Sequence, residues 1–158
     1  MLKAPEGTPF YAQGLCFSCV RCSACCRFES GFVFLSSQDT SLLGTALNMA
    51  DKDFITAYCR WVPSENGKTQ LSLKEKSNYD CIFWSQEAGC LVYKARPLQC
   101  RAFPFWASVL KNKSSWEITA KDCPGMDRGE LHSRDSINAW LSIREKEPVV
   151  SGSLKGES

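Results

Sequence analysis

Apolar residues in this chain come in short bursts, each bounded by a turn or cap signal, with no long periodic run. Residues 1–15 carry prolines and glycines and read as an irregular arm. The stretch 32–35 (FVFL) is short and β-like. Ser36 follows as a helix cap, with Asp39 three residues on. Leu42, Leu43, Ala46, Leu47 and Ala50 then recur at helical spacing. Asp51 is placed to cap a second helix, with Phe54, Ile55, Tyr58, Trp61 and Val62 on one face and Pro63 at its end. Asn66-Gly67 is a hairpin signal between 61–64 and 69–74, where Leu71 and Leu73 alternate with polar residues. Two strand-like runs, 81–84 (CIFW) and 90–93 (CLVY), follow. Pro97 suits the start of a short helix carrying Cys100, and Pro104 closes it. Residues 116–120 alternate as a strand does, and Cys123-Pro-Gly reads as a turn. A last helix starts near Ser133, with Ile137, Trp140, Leu141 and Arg144 on one face. The segment 148–158 reads as a disordered tail.

These elements predict an α+β fold: a small single domain with short helices and a small antiparallel sheet around a cysteine-rich centre. The main body spans 16–147. At 158 residues the chain can bury an apolar core without cross-links. Nineteen basic and 17 acidic residues leave a net charge of +2, and no basic stripe stands out. That balance argues against electrostatic binding to nucleic acid. No apolar run reaches the length of a membrane span, and nothing near residue 1 resembles an export signal. The expected compartment is the cytosol, where structural disulfides are rare.

Ten cysteines then read as metal ligands or redox groups. Five fall within CFSCVRCSACC at 16–26: Cys16, Cys19, Cys22, Cys25 and Cys26. A C-x2-C spacing lets a tight turn aim two thiolates at one metal. Zinc takes four such ligands, and iron–sulfur clusters also take four cysteines. Neighbouring Cys25 and Cys26 point to different sides of an extended backbone, so the run suits two sites or one polynuclear centre. Cys16, Cys19, Cys22 and Cys26 also match bacterial ferredoxin spacing, but Arg27 stands where a proline is expected and no second copy exists. Vicinal and C-x2-C thiols close loops too small for good structural bridges. Cys59 lies inside an apolar pattern and reads as a buried thiol.

The blocks CVRCSACCR at 19–27, CIFW at 81–84, CLVYKARPLQCRAFPFW at 90–106 and CPG at 123–125 together resemble the YkgJ-type cysteine-cluster proteins. That family is described as a zinc- or iron-chelating domain and named for a CxxCxxCC motif. The resemblance covers about residues 14–130. It implies a metal ion as the partner, held by Cys19, Cys22, Cys25, Cys26, Cys81, Cys90, Cys100 and Cys123. Eight thiolates divide into two four-ligand sites or one cluster with extra thiols. Cys16 and Cys59 lie outside the pattern. A more distant similarity reaches the flagellin lysine N-methylases. It suggests an alternative, an iron–sulfur or metal-dependent protein-modifying enzyme. The chain has no glycine-rich loop for a methyl donor, so that activity does not carry over. A structural zinc module for protein binding is a further alternative. Clustered and vicinal thiolates favour iron, as a [4Fe–4S] cluster, over a single zinc.

Arg27, Arg96 and Arg101 sit beside cysteines, where positive charge offsets that of a metal–thiolate site. Trp84, Phe103, Phe105 and Trp106 are expected to pack around the metal. His132, the only histidine, sits in a polar stretch and is expected to face solvent. One histidine and scattered carboxylates give no hydrolytic constellation.

Overall fold

A computed structural model describes residues 7–21 and 32–153. In chain order its elements are β1 (Leu15–Phe17), α1 (Ser37–Ala46), α2 (Asp51–Tyr58), β2 (Cys59–Pro63) and β3 (Lys68–Leu73). Next come β4 (Trp84–Ser85), β5 (Gly89–Cys90), α3 (Leu98–Ala102), α4 (Lys113–Ala120), β6 (Met126–His132), α5 (Arg134–Lys146) and β7 (Ser151–Ser153). Short helices with small antiparallel sheets make the fold α+β, as the sequence pattern predicts. Two compact units divide the chain: Met1–Cys22 with Ala102–Ile143, and Ser23–Arg101 with Arg144–Ser158.

The second unit is built on a three-stranded sheet of order β2-β3-β7. Asn66-Gly67 turns β2 into β3, with Gly67 at φ +74°, a left-handed conformation that glycine adopts without strain. The 32–36 segment lies along β3: Leu35 N–H donates to Leu71 O, and Leu73 N–H to Val33 O. Ser36 and Asp39 form the expected capping box. Ser36 Oγ accepts from Asp39 N–H (3.1 Å), and Asp39 Oδ2 from Ser36 N–H (2.9 Å). Leu35, Leu43, Phe54, Leu71 and Phe83 form the apolar core beneath.

In the first unit β1 pairs with β6. Its core gathers Tyr11, Phe105, Val109, Leu110, Trp116, Met126 and Ile137. Tyr11 comes from the stretch read as an irregular arm, and its hydroxyl donates to Asn138 Oδ1 (2.9 Å). α5 starts beyond Ser133, whose Oγ accepts from Ser136 N–H. Ile137 turns inward there, with Trp140 and Leu141 packed against the same core.

Several expectations are corrected. Residues 116–120 belong to a helix, because Asn112 caps α4 by accepting from Ser115 N–H (2.8 Å). The second helix ends at Tyr58, and Trp61 and Val62 lie in β2, since pairing with β3 outweighs their helical spacing. Ala50 is the N-cap of α2, and Asp51 accepts instead from Ser41 Oγ. Of the runs at 81–84 and 90–93, only Trp84 and Cys90 lie in a ladder, β4 with β5; Cys81 makes an isolated bridge to Glu75, and Tyr93 starts a short 3-10 helix. In the segment read as a tail, β7 adds to the free edge of β3, and Val150 bonds both Leu71 and Leu35.

Candidate metal centre

The first unit brings the opening of the cysteine run to the CPG block. Ser18 N–H donates to Gly125 O (3.1 Å), so Cys19 lies one residue, and Cys123 two residues, from the same bond. Ser18 Oγ accepts from Glu130 N–H (2.9 Å), a second tie. The backbones approach so closely that a Cβ on Gly125 would collide with Ser18 O. A turn from Cys123 O to Met126 N–H (3.1 Å) presents Cys123 against the aromatic core. Phe103 and Phe105 meet Phe17 edge-on, and Phe103 meets Trp106 likewise, so three of the aromatics expected near the metal pack together in this unit.

Cys19 is exposed, and its sulfur accepts a hydrogen bond from Arg21 N–H (3.4 Å). Arg21 reaches this position with φ +53°. An N–H aimed at sulfur offsets negative charge on a thiolate, the form that binds metal. A thiolate that accepts an N–H in this way is the kind of ligand a thiophilic ion takes.

The second unit carries Cys81, Cys90 and Cys100, all half-buried. Cys90 pairs with Trp84, whose N–H closes a turn onto Cys81 O (2.9 Å). The tiny hairpin thus draws the two cysteine segments together, and both side chains pack on the apolar core. Trp84 is buried here. Cys100 sits on α3, one turn beyond Pro97, whose carbonyl accepts from Cys100 N–H (3.0 Å). Cys22, Cys25, Cys26 and Arg27 lie outside the described residues. Among the described residues, no three Cys, His, Asp or Glu side chains form a metal-sized group.

Cys16 and Cys59, the two thiols outside the pattern, lie in β1 and β2. Cys16 pairs with Leu131 in the β1–β6 ribbon. Cys59 is buried, and desolvation pushes its thiol up to about 12 despite the nearby Lys74. His132 is half-buried, not exposed: its Nε2 lies 2.9 Å from Phe17 O, and its ring packs on Phe105. Arg96 lies over the Tyr93 ring, 3.9 Å from its centroid. Arg101 donates through Nε to Arg96 O (3.0 Å) and pairs with buried Asp39 at 3.9 Å. Both arginines are thus committed to packing within this unit. Two residues with no chemical signal in the sequence, Ser18 and Gln99, turn out to hold the cysteine-bearing segments in place.

Cys81, Cys90, Cys100 and Cys123 are thus half-buried thiols of a small α+β fold. The family model "CxxCxxCC: Putative zinc- or iron-chelating domain" matches residues 18–124, and the chain belongs to that family. Metal binding is the property the family shares. An uncharacterized protein of Methanocaldococcus jannaschii is 27% identical over 104 residues, which make up 65% of this chain and 52% of that protein. The chain spans about half the length of this curated relative. No solved structure matches. No helix among the described residues is long and apolar enough to cross a membrane.

Proposed function

We propose that the protein chelates iron, as a [4Fe–4S] cluster, in the reducing cytosol. The ligands are drawn from Cys19, Cys22, Cys25, Cys26, Cys81, Cys90, Cys100 and Cys123. The observation that carries this reading is the setting of Cys19: a backbone N–H on its sulfur, in a segment bonded directly to the CPG block. Cys22, Cys25 and Cys26 are the next thiols of the CxxCxxCC motif in sequence and are included as ligands on that ground. Iron is preferred over zinc because neighbouring Cys25 and Cys26 serve a polynuclear centre better than one tetrahedral ion. When bound, a cluster supplies one-electron chemistry; each unit packs its own thiols against apolar side chains, Cys81 and Cys90 in one and Cys123 in the other.

Anaerobic purification followed by iron, zinc and sulfide analysis tests this. Iron and acid-labile sulfide in equal amounts are expected. Stoichiometric zinc without sulfide would overturn the cluster, and protein free of both metals would overturn chelation.

A further inference from the structure

The helix that carries Cys100 cannot hold itself in place. α3 has five residues, far below the length at which a helix is stable alone. Its position is imposed by side chains that reach the segment following the cysteine run. Gln99 spans the outer edge of that segment: its Oε1 accepts from Phe34 N–H (3.0 Å), and its Nε2 donates to Phe32 O (2.7 Å). One amide thus copies the paired donor and acceptor of a neighbouring strand. Val33 and Leu35 are meanwhile bonded to β3 through the opposite edge. The extended chain at 32–35 is gripped from both sides.

Asp39 makes the second tie. It is 1% exposed, and each of its oxygens accepts a backbone N–H. Oδ2 completes the capping box of α1, and Oδ1 accepts from Leu98 N–H, the first of α3, at 2.9 Å. One carboxylate therefore serves the starts of two helices. Burying that charge is costly unless it is fully hydrogen-bonded, and the two N–H groups with Arg101 at 3.9 Å meet the requirement.

We propose that Gln99 and Asp39 are positioning residues of the metal centre. They hold the helix that carries Cys100 on the 32–39 segment of the same unit. This rests on Cys100 being a ligand. Residues that orient ligands typically contribute about 10–100-fold to metal affinity.

The test is a double-mutant cycle on the full-length apo protein. Zn(II) affinity is measured by chelator competition, alongside zinc stoichiometry and a urea melt. Gln99→Leu keeps the bulk and removes both amide bonds. It should lower Zn(II) affinity by about 10–100-fold while leaving stoichiometry unchanged. Asp39→Asn puts an NH2 group against one of two N–H donors and should weaken binding similarly. Cys100→Ser should weaken binding at least as much, and Gln99→Leu should then add nothing in the Cys100→Ser background. Equal losses in both backgrounds would overturn positioning through Cys100, whatever the urea melts show. Wild-type affinity in Gln99→Leu beside a weakened Cys100→Ser would overturn the proposal alone. Wild-type affinity in Cys100→Ser would remove Cys100 from the ligand set, and the proposal with it. Should Asp39→Asn fail to fold, the Gln99 cycle decides.

Discussion

The cysteines differ most at the scale of single residues. Cys19 is exposed, with an N–H directed at its sulfur, whereas Cys59 is walled in by Leu71, Leu73 and their neighbours. Burial that raises the Cys59 thiol to about 12 keeps it protonated and unreactive at neutral pH. This has a consequence for stability. In the unfolded chain the thiol ionises near 9.0, while in the fold it keeps its proton to about 12. Above the lower value the unfolded state binds fewer protons, so stability is complete below it and falls as pH rises. Urea unfolding followed from pH 8 to 11 should show that loss in the wild type, at up to about 1.4 kcal/mol per pH unit from this group. Cys59→Ala should flatten the profile with unchanged metal content. An identical alkaline slope in the variant would show that Cys59 ionises as freely in the fold as out of it.

At the scale of elements, close backbone approach does much of the positioning. Gly125 allows Ser18 O to come within the space of a Cβ, which is how the Cys19 and Cys123 segments meet. Gly125→Ala should force them apart, at a cost of roughly 1–3 kcal/mol in stability. It should also weaken metal binding, both read by urea melts and chelator competition. Wild-type values for both would mean that the Ser18–Gly125 bond does not set the site. Elements with local signals were legible in the sequence. Ser36 and Asp39 announced α1 within four residues, and Asn66-Gly67 announced the β2–β3 turn. Elements decided by distant partners were not. Residues 116–120 alternate like a strand, yet the Asn112 cap and the bond from Trp116 Nε1 to Asp127 Oδ1 (2.9 Å) make them helix. β6 reads as polar chain, and its pairing with β1 is seen only in the fold. The grip of Gln99 on Phe32 spans 67 positions and leaves no local pattern to find. The dense cysteine run was visible as local spacing, whereas the downstream candidates came from the resemblance to the family.

At the scale of the whole molecule, two apolar cores, one around Phe105 and Ile137 and the other around Leu43 and Phe54, each support their own cysteines. Cys19 and Cys123 belong to the first unit; Cys81, Cys90 and Cys100 belong to the second. The family match from 18 to 124 runs through both and ends just after Cys123. Chelation through the cysteines of this matched region is the central proposal. X-ray absorption at the metal edge of protein purified without oxygen tests it most directly. A first shell of sulfur alone is expected, at about 2.3 Å if the metal is zinc, with its loss in Cys19→Ser/Cys22→Ser. A first shell of nitrogen and oxygen at about 2.0–2.1 Å, unchanged in that variant, would contradict it.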